Sequence, residues 1–363
     1  MPSTWRYLLW LAALPACAHK PPADYAPDPG LLARVRQLRM RTAPGPICPG
    51  GRIQAVYEAV LDDGSVIPFA TRYDEDHPPP LHVLFLRRTS PEAAPRADGG
   101  WDTYPDPVLS AAAGFRLSAF LRDKPEVNAF ATIEPGYDCL PHAFRFVGEQ
   151  GRRDGEGGGD GPDVLVRLDI VSSPFVDRLV VAEVAVESAP PFYVMADMDR
   201  IAPADWLVIE AAGGAGARGA KGTKGQKGAK GAAGCPGGRG GAGGAGGNGG
   251  PGGRGGRGGE VTVVVPDDQP LLAGLLEAHV PGGEGGSGGR AGEGGEGGEG
   301  GDPRGDARRC ERGETGPPGS AGAAGRNGQD GRAGRPVQVV AVPRDQVFGP
   351  HVPPQLGELL NGN

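Results

Sequence analysis

Glycine occupies every third position of two long tracts, and no other feature of the chain narrows its fold so far. In the first tract the period runs from Gly213 to Gly258 without a break and closes on Val261-Thr262-Val263-Val264-Val265. In the second it runs from Gly283 to Gly301, lapses across 304–312, resumes from Gly313 to Gly334 and closes on Val337-Gln338-Val339-Val340. A polyproline-II helix has three residues per turn, so glycine in one slot of each triplet clears one side of it for a close neighbour. The spacing predicts two hairpins and four arms of similar length, with Cys235 at one tip, Cys310 at the other, and strand-like runs at the base, the first at 205–209. At about 3.1 Å per residue, an arm of roughly 21 residues reaches ~65 Å.

The Gly-X-Y triplets of residues 213–336 resemble those of collagen-like bacterial surface proteins, and the resemblance implies an architectural module. A collagen triple helix relies on imino acids, yet of the 32 X and Y positions between Gly213 and Glu260 only Pro236 and Pro251 qualify, and nine X positions are glycine. That composition suits a bundle of polyproline-II helices packed within one chain, where extra glycines let backbones approach and exchange hydrogen bonds. A trimer and a disordered spacer are the alternatives. Lys221, Lys224, Lys227 and Lys230 form one edge of the first arm, and Glu293, Glu296 and Glu299 form one edge of the third. These stripes are level with each other and are read as setting register between arms more than stability.

With 67 glycines and 38 prolines in 363 residues, the second half lacks the material for an ordinary apolar core. The net charge of −7 argues against nucleic acid as a partner. Arg6 followed by the apolar run 7–13 reads as an export signal too short to span a bilayer. It ends in Leu14-Pro15-Ala16-Cys17, which resembles the lipobox of bacterial lipoproteins. The resemblance implies cleavage before Cys17, lipidation at Cys17 and a membrane partner reached through that anchor, at the outer membrane or cell surface. The remaining cysteines, Cys48, Cys139, Cys235 and Cys310, divide two to the first half and two to the glycine region, which favours disulfides Cys48–Cys139 and Cys235–Cys310.

The expected organisation is a signal peptide (1–16), a Pro-rich tether (17–29), a β-sandwich-like domain (30–204), the glycine-rich module (205–343) and a C-terminal tail (344–363). The fold class is mostly β: an antiparallel sandwich followed by a polyproline-II bundle with short flanking strands. Apolar residues 31, 32, 35 and 38 predict one helix within 31–40, and residues 270–279 predict another. From residue 51 to about 199 the period changes to two, with strands at 53–61, 65–71, 82–87, 115–121, 127–133, 143–147, 164–171, 179–186 and 192–196.

Several segments imitate chemical sites. Gly285-Gly286-Ser287-Gly288-Gly289 matches a nucleophile elbow in letters only, since both flanks are glycine triplets instead of a strand and a helix. Residues 74–77 with His82 read as a solvated acidic loop, and Asp154, Glu156, Asp160 and Asp163 as a flexible Gly-rich loop. Arg304-Gly305-Asp306 matches an integrin-binding tripeptide on an expected turn. No catalytic residue, metal or cofactor is assigned. The expected role is non-enzymatic: a structural or adhesive envelope lipoprotein, a monomer before a trimer, that meets envelope polymers or other cell-surface proteins. The alternative is a β domain that binds carbohydrate or envelope polymer on a glycine-rich stalk.

Overall fold

A computed structural model describes residues 21–22, 25–187, 189–201, 206–305, 310–350 and 352–361. The expected signal peptide and Cys17 lie outside the described residues. The protein is mostly β, and its described residues divide into two compact units: those within 21–139, 172–177 and 353–361, and those within 140–171 and 178–352. This division does not follow the composition change near residue 205, because strands on both sides of that point pair with one another.

In the first unit α1 (Pro29–Arg34) leads to β1 (Val35–Thr42), β2 (Arg52–Ile53), β3 (Ala55–Leu61), β4 (Val66–Pro68), β5 (Leu86–Thr89), β6 (Ala93–Pro95) and β7 (Trp101–Thr103). Then come α2 (Val108–Ala111), β8 (Phe115–Leu121) and β9 (Lys124–Ile133), with α3 (Pro354–Asn361) from the far end of the chain. Three antiparallel sheets result, ordered β1-β3-β4, β2-β7-β6 and β5-β8-β9. The helix expected over 31–40 stops at Arg34. Asp28 caps it by accepting from the Leu31 amide at 2.9 Å, and from Val35 the backbone bonds to β3 instead. An irregularity between Val35 and Gln37 shifts the burial, so Val35 and Leu38 both point inward at a helix-like spacing of three.

The core of this unit closes around Trp101 and Tyr57, both fully buried. Trp101 Nε1 donates to the Tyr57 hydroxyl at 3.0 Å, and that hydroxyl donates to the Gly99 carbonyl at 3.0 Å. The Arg88 guanidinium lies 5.8 Å from the Trp101 ring and 5.9 Å from the Tyr57 ring. Each buried polar atom of the two rings therefore has a partner, as a low-dielectric interior demands.

The second unit holds β10 (Ala143–Val147), β11 (Val164–Val171), β12 (Leu179–Val186), β13 (Phe192–Asp197), β14 (Leu207–Ala212), β15 (Val261–Pro266), β16 (Leu276–His279) and β17 (Gln338–Val342). One sheet is β10-β14-β16, wholly parallel. The other is β13-β12-β11-β15-β17, antiparallel up to β11 and parallel beyond it. Val166, Leu168, Val180 and Val263 of the larger sheet join Leu207 and Ile209 of the smaller in a single apolar cluster. Residues 270–279, expected as a helix, form one 3-10 turn (Pro270–Leu275) and then β16, since pairing with β14 claims Leu276–His279. The turn still buries Leu272 and Leu275.

The parallel pairing has a cause that an antiparallel sandwich lacks. Three times the chain leaves the small sheet, makes an excursion containing glycine triplets, and returns in the large sheet: β10 to β11, β14 to β15, β16 to β17. Equivalent strands stand in the same order in each sheet, β10-β14-β16 and β11-β15-β17. Strands that repeat one unit in one direction must lie parallel.

Candidate binding surface

Four segments carry the long triplets: arm 1 (213–234), arm 2 (237–259), arm 3 (282–301) and arm 4 (313–334). Glycine amides link them in ladders with one bond per triplet. Arm 1 donates to arm 3 from Gly213 to Pro281, Gly222 to Arg290 and Gly231 to Glu299, at 2.8–2.9 Å across the series. Arm 3 donates to arm 2 (Gly286 to Gly253, 2.8 Å), and arm 4 to arm 3 (Gly316 to Gly298, 2.8 Å). Arm 2 donates in two directions, from Gly240 to Glu314 of arm 4 at 2.9 Å and from Gly241 to Ala229 of arm 1 at 2.8 Å. Arms 2 and 3 thus each bond to three others, while arms 1 and 4 each bond to two.

The sequence follows that count. Arms 2 and 3 read Gly-Gly-X, apart from Ala291 and the Pro236 turn, whereas arms 1 and 4 read mostly Gly-X-Y. A methyl group on Gly240 would lie 1.9 Å from the Gly298 carbonyl oxygen, where only backbone surrounds it. One on Gly241 would meet nothing nearer than the Ala229 nitrogen at 3.2 Å. Neighbouring glycines therefore differ: a methyl on the first would overlap backbone outright, while one on the second would press on the Ala229 backbone by only a few tenths of an ångström.

The third and shortest hairpin, residues 148–161, is the element that sequence reasoning missed. Its amides at Gly151 and Gly155 donate to Ala215 and Arg218 of arm 1, and those at Gly158 and Gly161 donate to Arg254 and Arg257 of arm 2. Arm 1 returns bonds from Gly214 to Gly159 and from Ala217 to Glu156, both at 2.8 Å. Gly148, Gly151, Gly155, Gly158 and Gly161 carry the signal, two short triplet runs offset by one residue. The acids read as a flexible loop instead cap backbone. Glu156 accepts from the Arg152 and Arg153 amides at 2.8 Å, which holds its carboxyl below the usual glutamate range. Asp160 accepts from Arg257 at 2.7 Å, and Asp163 from Glu260 at 3.0 Å.

The lysine and glutamate stripes face each other across arms 1 and 3. Lys227 meets Glu299 at 3.1 Å and Lys230 meets Asp302, and each lysine holds its partner's carboxyl below its ordinary value. Lys221, Lys224, Glu293 and Glu296 lie on the same stripes but form no ion pair among the described residues. Cys235 and Cys310 are bonded, as are Cys48 and Cys139, with Cα atoms 4.8 and 6.3 Å apart.

The edge formed by arms 1 and 2 is unevenly covered. Beneath the short hairpin, Gly253, Gly256 and Gly259 are buried. Beyond it, Gly238, Gly241, Gly244, Gly247 and Gly250 stand half exposed in the equivalent slots. The opposite edge is closed at its base by arm 4 side chains: Asp330 accepts from Gly285 at 2.7 Å and Asn327 from Gly288 at 2.9 Å.

Elsewhere the surface offers little chemistry. Ser287 lies in arm 3 between glycine triplets, without the strand and helix that a nucleophile elbow needs, and Asp306 is outside the described residues. His82 is 2% exposed, with Nδ1 accepting from the Leu84 amide at 3.2 Å, while His77 stands in solvent. Among the described residues no group of three or more His, Cys, Asp or Glu side chains is placed to hold a metal ion, and no helix is long and apolar enough to cross a membrane. The first unit has an open groove of about 370 Å³, lined by Pro22, Tyr25, Asp28, Tyr73, Pro79 and Pro80. Tyr25 and Tyr73 meet edge to face at 5.5 Å, and the Tyr25 hydroxyl donates to the Pro79 carbonyl at 2.8 Å. Comparison with protein-family models, curated proteins and solved structures returned no match to this chain.

Proposed function

We propose that this protein is a non-enzymatic lipoprotein of the cell envelope, anchored through Cys17, whose glycine arms form a bundle of polyproline-II helices with a structural or adhesive role. The observation that carries the reading is the ladder itself. Nearly every third residue of each arm donates its amide sideways to another arm, which answers the absence of internal hydrogen bonds in polyproline-II. The bundle needs no second chain, which favours a monomer over a collagen-like trimer. It presents flat, regular, water-facing surfaces with a lysine and glutamate stripe on one of them, a shape suited to other polymers or cells.

Two measurements on the full chain test this. Circular dichroism is expected to give the positive polyproline-II band and a cooperative melt; a featureless coil signal rejects the bundle. Beads coated with the full chain are expected to adhere to envelope preparations, and beads coated with Gly240→Ala to adhere less. Equal adhesion would move the activity away from the bundle and toward the second reading, in which the first unit binds carbohydrate. The Tyr25 and Tyr73 rings beside the Asp28 carboxylate favour that reading, since aromatic faces and a carboxylate suit a sugar ring. Loss of glycan retention in Tyr73→Ala would support it.

A further inference from the structure

The short hairpin occupies only the base of the arm 1 and arm 2 edge, and the groups that seat it continue past its end. Its downward half is held by amides of arm 1 (Gly214, Ala217) and carbonyls of arm 2 (Arg254, Arg257). One triplet at a time toward the tip, the same positions are the amides of Ala220, Thr223, Gln226, Ala229 and Ala232 and the carbonyls of arm 2 from Pro251 to Arg239. None of these has a hydrogen-bond partner among the described residues. The floor between them is the half-exposed row of arm 2 glycines, beginning at Gly250 and ending at Gly238. The edge is a backbone template with two of every seven seats filled.

We infer that the upper part of this edge docks an extended segment of a partner polypeptide with glycine at every third residue, laid against arms 1 and 2 as residues 158–161 are. The inference rests on the bundle reading above. Docking of this kind is the polyproline-II counterpart of adding a strand to an open sheet edge, where backbone bonds supply affinity and pockets supply selection. Selection here is for the absence of a side chain. A methyl on the seated Gly158 would lie 2.0 Å from the Gly214 carbonyl oxygen, and one on Gly161 would lie 2.6 Å from the Gly259 nitrogen. A second copy fits poorly, because the outward residues of its own arm 1 edge carry side chains: Ala220, Thr223, Gln226, Ala229, Ala232. Five triplets, about 45 Å of extended chain, fill the open length.

The test uses the full chain and a labelled peptide (Gly-Gly-Asp)5, which repeats the triplet Gly158-Gly159-Asp160, with (Ala-Ala-Asp)5 as control. Fluorescence anisotropy is expected to give saturable binding of the glycine peptide at least about tenfold tighter than the control. Gln226→Trp puts a bulky group over the seat from an exposed position. It is expected to weaken binding about tenfold or more while leaving the circular dichroism and melting temperature unchanged. Lys224→Ala, on the charged stripe, is expected to leave binding unchanged. Equal binding of both peptides, binding indifferent to Gln226→Trp, or no binding of the glycine peptide up to about 1 mM overturns the inference, as does self-association through this edge measured by sedimentation. A protein with the polyproline-II signal and no peptide binding would refute this inference and leave the bundle standing.

Discussion

The core of the first unit and the interior of the glycine arms solve the same packing problem with opposite material. Around Trp101 and Tyr57 the interior consists of side chains, and the backbone forms the frame. Between arms 2 and 3 the interior consists of peptide groups, with Gly292 placed to donate to the Gly247 carbonyl at 2.9 Å and no side chain between the two. In the first case apolar area removed from water drives assembly. In the second there is almost none to remove, and order rests on hydrogen bonds that are geometrically complete and on neighbours that fit only because a Cβ is missing. A core of side chains tolerates rearrangement by rotamer changes; a core of backbone has no rotamers to change.

Adding one carbon should break the contrast most severely. Gly240→Ala places its methyl against the Gly298 carbonyl with only backbone around it, and a loss of about 4 kcal/mol or more is expected, with the cooperative melt of the arms abolished. Gly241→Ala, one residue on, should cost clearly less, about 1–2 kcal/mol, because its methyl meets the Ala229 nitrogen at 3.2 Å and only a few tenths of an ångström of movement relieves it. Melting curves that move equally for the two would remove the distinction between required and tolerated glycines.

On the other side of the comparison, Trp101→Ala should cost about 3–5 kcal/mol by cavity formation and by stripping the Tyr57 hydroxyl of its donor. Urea denaturation followed by near-ultraviolet dichroism checks this. Next in size is the tip. Cys310→Ser frees a cross-link spanning 75 residues, and denaturation midpoints should show a loss of about 2–5 kcal/mol, larger than for any single charge on the arms.

The smallest expected effect belongs to the stripes. Glu299 and Asp302 lie below their ordinary values because Lys227 and Lys230 favour their charged forms. A depressed folded value contributes stability that is full above the unfolded carboxylate value and is lost as pH falls through the folded one. Acid titration by carboxyl NMR should therefore find Glu299 protonating below a free glutamate, and Lys227→Ala should move it up toward the ordinary range, with Arg312 and Lys230 still holding it partly down. An unchanged titration in Lys227→Ala would mean that the pair is absent in solution.

Much of this was legible in the sequence, and the failures are instructive. The arm limits and tip cysteines followed from a period of three, because backbone packing leaves a strict compositional trace. The strands at 115–121, 143–147, 164–171 and 179–186 followed from a period of two and coincide with β8, β10, β11 and β12. Where a strand carries an irregularity, as β1 does between Val35 and Gln37, burial imitates a helix and the period misleads. The parallel small sheet was hidden for another reason. Its strands are joined by way of glycine excursions and strands of the larger sheet instead of helices, so the usual alternation of helix and strand is missing. The hairpin at 148–161 was too short for its triplets to stand out from a loop, although its acids, Glu156 and Asp160, are the caps that fix it.

Because each excursion starts and ends on paired strands, the rod behaves as a ruler graduated in triplets. Inserting one triplet into each of the four long arms would raise the tip by about 9 Å and leave every register at the base intact. Inserting it into arm 1 alone would carry Cys235 out of step with Cys310. Growth in this molecule is thus quantised and must occur in concert, and the sulfur bridge at the summit keeps the count.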